Sequence, residues 1–138
     1  MKVKIHKYAI VEKGAKIGKG TVICSFCYIE KGVIIGENCK IKNGVQIFNG
    51  TIIENDVFIA PGVIFTNCKK PKAWIKQKYI PKTYVGNNVS IGAGSIILPG
   101  VSIGEYASIG AGSVIRCDIP SKEIWVGNPA KFLKIVVD

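Results

Sequence analysis

The sequence predicts an all-β chain wound as a parallel β-solenoid. Three observations carry that prediction: an apolar residue at every sixth position, a register of small residues four behind it, and a turn-former just before most of the small residues. Stepping by six from Ile5 gives Val11, Ile17, Ile23, Ile29, Ile35, Ile41, Ile47, Ile53, Ile59 and Phe65. All eleven slots are apolar in a chain that is 48% apolar. Chance would fill them roughly three times in ten thousand, so the period is a structural signal. It resumes at Val85 and continues through Ile91, Ile97, Ile103, Ile109 and Ile115.

The second register holds Ala9, Ala15, Thr21, Cys27, Val33, Cys39, Val45, Thr51, Val57 and Val63, then Val89, Ser95, Val101, Ala107 and Ser113. The slot before it holds glycine nine times, from Gly14 to Gly112, with Asn38, Asp56, Asn88 and Asp118 as substitutes. These residue types best tolerate a left-handed backbone. Each hexapeptide therefore reads as a short strand and a tight bend, with one bulky and one small side chain facing inward. A helix would need a period of 3.6, and a flat sheet would not bend every six residues. Three hexapeptides make a coil, so residues eighteen apart stack, as in the column Val11, Ile29, Ile47 and Phe65. With about 4.8 Å between strands, five to six coils make a prism roughly 25–30 Å tall.

The chain of 138 residues is expected to be one domain, 1–138, with a loop inserted at about 66–84. From Phe65 to Val85 the rhythm slips by two, which a solenoid tolerates only where the chain leaves the wall and returns. The excursion, "FTNCKKPKAWIKQKYIPKTYVG", carries Trp74 and Tyr79 between Pro71 and Pro81. It also carries Lys69, Lys70, Lys72, Lys76, Lys78 and Lys82, and no Asp or Glu occurs from Val57 to Gly104. With a formal charge of +10, this field attracts phosphate groups of a nucleotide, a phosphorylated cofactor or nucleic acid.

Other classes fare poorly. The N-terminus "MKVKIHKYAIVEKGAKIG" has no apolar signal core, and no run approaches a spanning helix. The reading is therefore cytoplasmic, without membrane contact. In "CSFC", the inward slot of Cys27 and the outward slot of Cys24 put the two thiols on opposite sides of the wall, against a metal or disulfide pair. No metal is expected. A γ-class carbonic anhydrase shares such a solenoid but needs three zinc-binding histidines, and His6 is the only histidine.

"IGAGSIILPGVSIGEYASIGAGSVI" (Ile91–Ile115) and "VGNPAK" (Val126–Lys131) resemble the left-handed β-helix hexapeptide acyltransferases, a likeness that runs along nearly the whole chain. The resemblance implies left-handed coils, a homotrimer and active sites between neighbouring subunits. "VFIAPGVIFTN" followed by a Lys- and Pro-containing loop is similar to one branch, the N-acetyltransferases of nucleotide-linked amino sugars. The expected activity is acetyl-CoA-dependent N-acetylation of a nucleoside-diphosphate-linked amino sugar. The resemblance implies that Asn67 approaches the sugar amine, with the loop residues Lys69, Lys70, Trp74 and Tyr79 toward the substrate.

Related sugar O-acetyltransferases carry a catalytic His on this loop, where this sequence reads "NCKKP". A hydroxyl needs a base to become a nucleophile, whereas an amine with a pKa near 8 is partly neutral at pH 7. The expectation is thus transfer without a catalytic histidine. For CoA, the resemblance implies backbone contacts along the C-terminal coils at Ala93 and Ala111, whose small side chains let pantetheine approach. Around the nucleotide end of CoA it implies Arg116, Cys117, Lys131 and Lys134. Cys117 stands where the family often has Lys. The alternatives are a sugar O-acetyltransferase or other small-molecule acyltransferase, and a non-enzymatic solenoid binding nucleic acid or nucleotide. Against the last, no recognition helix or aromatic RNA-binding motif accompanies the lysines.

Overall fold

A computed structural model describes residues 1–137. Every described element is a β-strand, and apart from the closing hairpin each strand has only two or three residues. The strands stack in three parallel sheets, the faces of a prism. The first face runs from Lys4–Ile5 to Glu123–Gly127, the second from Ile10–Val11 to Val114–Ile115, and the third from Lys16–Ile17 to Ser102–Ile103. Residues eighteen apart pair in register: Ile5 with Ile23, Val11 with Ile29, Ile17 with Ile35. The bulky register, Ile23 through Ile115, fills the core and is almost wholly shielded from water. At the first coil the column opens, and Ile5 remains 47% exposed.

The small register faces inward too, and its polar members are satisfied. Thr21 Oγ1 donates to Gly36 O at 2.7 Å, and Ser113 Oγ donates to Gly110 O at 2.6 Å. Cys27 and Cys39 donate to the carbonyls of Lys42 and Glu54, and burial pushes both thiols up from their ordinary pKa. All five cysteines are free; Cys24 faces out while Cys27 lies in the core.

Three expectations need correction. Asp118 does not adopt the left-handed conformation; that corner passes to Lys122, with φ 64°. After Cys117 the chain abandons the six-residue phase, and the Asp118 carboxylate instead accepts from the backbone N–H of Ser102 at 2.9 Å. Tyr8, Phe26 and Tyr106, types not expected at this bend, do adopt positive φ; their side chains are exposed, and the rings of Tyr8 and Phe26 stack with centroids 5.7 Å apart. The first face has seven parallel rungs, more than the five to six coils expected, because Glu123–Gly127 adds one that the repeat does not announce. Its Trp125 stacks on Ile109 and closes the core, and Ala130–Ile135 folds back against the rung as an antiparallel hairpin.

Candidate functional site

The chain leaves the wall after the strand Ile64–Phe65 and rejoins it at Thr83–Val85. Val85 pairs with Ile53 as though nothing intervened. The side-chain ladder confirms the count: Glu37 N bonds Asn55 across 18 residues, and Asn55 N bonds Asn87 across 32. Fourteen residues are therefore looped out of one coil.

The loop is fastened at both feet. At departure, Thr66 Oγ1 donates to Ile97 O at 3.0 Å and Asn67 Nδ2 donates to Asn49 O at 2.9 Å. At return, Pro81 is buried, Thr83 N donates to Gly50 O at 2.9 Å, and Thr83 Oγ1 accepts from Gly100 N at 3.0 Å. Gly50 makes the return possible. Its φ is +101°, and a Cβ there would stand 2.5 Å from Pro81 O and 2.7 Å from Ile80 Cγ2. Midway, the Gln77 amide donates to the carbonyls of Asn67 and Tyr79 and ties the tip to the foot.

Between loop and wall lies a cavity of about 720 Å³. Asn67, Cys68, Lys69 and Pro71 line it from the loop, and Phe48, Thr66, Leu98, Pro99 and Arg116 from the wall. The bond to Asn49 fixes the Asn67 amide, leaving Oδ1 as its free acceptor. Among the described residues, no His, Asp or Glu lines the cavity, whereas Lys69 and Arg116 bring positive charge to it. A second hollow of about 420 Å³ lies inside the loop, lined by Lys70, Gln77 and Tyr79 and sharing Cys68 and Lys69 with the first.

Thus Asn67, Lys69 and Arg116 come together, and Lys70 and Tyr79 stand in the adjoining hollow. Trp74 lines neither. It is 80% exposed, with the Lys72 ammonium 5.7 Å from its ring centroid. Cys117, beside Arg116, is exposed and outside both cavities, and Lys131 and Lys134 project from the terminal hairpin. Ala93 and Ala111 are exposed at the corner between the first and second faces, where Gly112 N donates to Ala93 O at 2.8 Å. Asn67 stands at the corner between the second and third faces, the opposite edge of the same sheet.

Phe48, Thr66 and Leu98 were not foreseen as site residues, yet the repeat contains their signal. Each directly follows an inward residue of the second face (Ile47, Phe65, Ile97), as Arg116 follows Ile115, so the four form one outward column. Gln77 has no such signal. Among the described residues, no group of three or more His, Cys, Asp or Glu is placed to hold a metal ion, and no helix is long and apolar enough to cross a membrane.

The fold and this inserted loop define a hexapeptide-repeat β-helix protein. The bacterial transferase hexapeptide family (six repeats) matches residues 14–49 and 82–117, and the chain belongs to that family, whose left-handed β-helix it shares. The match breaks at the loop. The acetyltransferase domain of PglB from Neisseria gonorrhoeae FA1090 superposes with a TM-score of 0.83 at 27% identity, over 95% of this chain and 57% of that one. It has also been solved in complex with acetyl coenzyme A. AntD, an N-acyltransferase from Bacillus cereus solved with dTDP and 3-hydroxybutyryl-CoA, gives 0.87 at 26% identity, over 98% and 80%. CapG of Staphylococcus aureus is 55% identical over 69 residues, 46% of this chain and 40% of that protein. The chain thus spans little more than half of the gonococcal structure and less than half of CapG.

Proposed function

We propose that the protein is a cytoplasmic acetyl-CoA-dependent N-acetyltransferase acting on a nucleoside-diphosphate-linked amino sugar, assembled as a homotrimer. One observation carries the reading. A carboxamide of fixed orientation, Asn67, faces a cavity with cationic Lys69 and Arg116 and no carboxylate or histidine in its lining. Asn67 Oδ1 accepts a hydrogen bond from the sugar amine and turns its lone pair toward the thioester carbonyl. The C–N bond forms, the C–S bond breaks, and the amine's proton passes to the departing CoA thiolate. Alignment of two bound reactants is worth about 7–11 kcal/mol, so an amine that is partly neutral at pH 7 needs no further base. Sugar hydroxyls lack that advantage, which disfavours O-acetylation here.

The placement of the two corners supports an assembly of several copies. Ala93 and Ala111 sit on one edge of the second face and Asn67 on the other, and both corners are convex, so one chain cannot close a groove around both. Packing the loop corner of one copy against the alanine corner of the next brings them together. Similarity to proteins crystallised with acetyl coenzyme A, and with dTDP and an acyl-CoA, supports both ligand classes. In this arrangement pantetheine lies along Ala93 and Ala111, and Arg116, Cys117, Lys131 and Lys134 surround the nucleotide end of CoA. Lys69, Lys70, Trp74 and Tyr79 belong to the acceptor side.

The test is thiol release from acetyl-CoA with a panel of nucleotide-linked amino sugars. Turnover with at least one is expected, falling tens of fold or more in Asn67→Ala while the assembly persists. Unchanged turnover in that variant removes Asn67 from the chemistry. Binding of nucleic acid alone, with steep salt dependence, refutes the enzyme.

A further inference from the structure

The first face carries a third cavity that the chemistry above does not use. It holds about 420 Å³ and is lined by His6, Val22, Cys24, Lys40, Lys42 and Asn43. Its shape follows from the stacking of three coils. Lys4 pairs with Val22, and Val22 with Lys40, so His6, Cys24 and Lys42 stack in the neighbouring column. Coils one and three present cationic or basic side chains, and coil two presents the short Val22 and Cys24. Two rung spacings put the outer coils about 10 Å apart, with the short side chains as the floor between them. Cys24 is only 9% exposed although it faces outward, because it lies at the bottom of this trough.

The charges are segregated as well. The outward positions of the parallel rungs of this face before the terminal hairpin are Lys4, His6, Val22, Cys24, Lys40, Lys42, Phe58, Ala60, Ser90, Gly92, Ser108 and Gly110, without one carboxylate. The second face has Glu12 and Glu30 on its outer surface, and the third has Glu54. A concave, carboxylate-free trough with two lysines and a carboxamide attracts a phosphate dianion more strongly than the flat remainder of the prism does.

We propose that this trough binds the phosphates of a nucleoside diphosphate, with Lys40 and Lys42 as the principal contacts and Asn43 as a neutral donor. The proposal rests on the nucleotide-linked acceptor suggested above, because it assigns that acceptor's diphosphate to the three N-terminal coils of the copy whose alanine corner packs against the loop; Asn43 lies on that same edge. The alanine corner, by contrast, lies on the C-terminal coils.

Calorimetry on the intact assembly tests it, with uridine and thymidine diphosphates as probes and acetyl-CoA titrated separately. At least one nucleoside diphosphate is expected to bind the parent protein. Its Kd should weaken about tenfold in Lys40→Met and again in Lys42→Met, the scale of one charge-assisted hydrogen bond each. Inorganic pyrophosphate should compete, Lys42→Arg should retain most affinity, and acetyl-CoA affinity should stay within about twofold. Lys40 is exposed and Lys42 half-buried, and both stand on the outer side of the wall away from the core, so folding should survive their replacement. Nucleotide binding that is absent, or unaltered in the double variant, overturns the assignment. So does a loss confined to acetyl-CoA, which would give the trough to the phosphates of CoA. Trough-dependent nucleotide binding without acetyl transfer to any amino sugar would refute the enzymatic reading alone and leave the trough assigned.

Discussion

Gly50 offers the sharpest quantitative test, because its φ of +101° and the Pro81 carbonyl 2.5 Å from a virtual Cβ act together. Gly50→Ala incurs two costs. Placing a side chain on a positive-φ backbone costs about 1–2 kcal/mol. Forcing a methyl group against a packed neighbour costs roughly 1–3 kcal/mol more. The colliding atom is a backbone oxygen of a buried residue, and Thr83 N is bonded to Gly50 O, so the return foot of the loop cannot simply swing away. Gly94 supplies the control. Its φ is +70°, and a Cβ there meets nothing within 4 Å. Gly94→Ala should therefore cost only the backbone term, about 1–2 kcal/mol, and Gly50→Ala about 2–5 kcal/mol in all. Urea denaturation at equal protein concentration measures both. The collision at Gly50 should also displace Ile80 and Pro81 and loosen the loop. Equal losses in the two variants would show that the close approach at Gly50 contributes nothing, and the account of how the loop is seated would fail.

Two further outcomes follow from the same contacts. Gln77→Ala removes the donor that ties Asn67 O to Tyr79 O, so trypsin should cut among Lys69, Lys72, Lys76 and Lys78 several-fold faster; an unchanged cleavage rate refutes the tie. The buried Cys27 and Cys39 thiols titrate above their unfolded value, so their contribution is fully present below about pH 8.5 and is lost as pH rises through the folded pKa. Denaturation between pH 8 and 10 should show stability falling, and Cys39→Val, which fills the same inward slot, should reduce the slope.

The period of six made the core legible because it leaves no choice of face. A residue either sits in the inward column or does not, and eleven apolar residues from Ile5 to Phe65 sit there. The same arithmetic marks where the rhythm breaks, because the phase slips by two between Phe65 and Val85. What the period cannot convey is anything outside the repeat. Trp125 closes the core from a rung whose spacing departs from six, and Asp118 falls in the glycine slot of a bend the chain no longer makes. Trp74 and Tyr79 are equally aromatic and equally placed in the loop sequence, yet one stands free and the other borders a hollow. That difference depends on loop conformation, which Gln77 helps to fix through its bonds to the Asn67 and Tyr79 carbonyls and which no sequence pattern announces. The column Phe48, Thr66, Leu98 and Arg116 lies between these cases. The repeat aligns the four side chains, but only the position of the loop makes that column a wall of the cavity.

The uninterrupted pairing of Val85 with Ile53 has an evolutionary corollary. Within a strand, inserting one residue would turn every following side chain to the wrong face. At this junction the ladder is indifferent to how many residues intervene, provided the two feet are anchored. The excursion can therefore lengthen, shorten or change composition without retuning the core. A chain built this way could change the lining of its cavity by rewriting that one segment while the stacked core stays as it is.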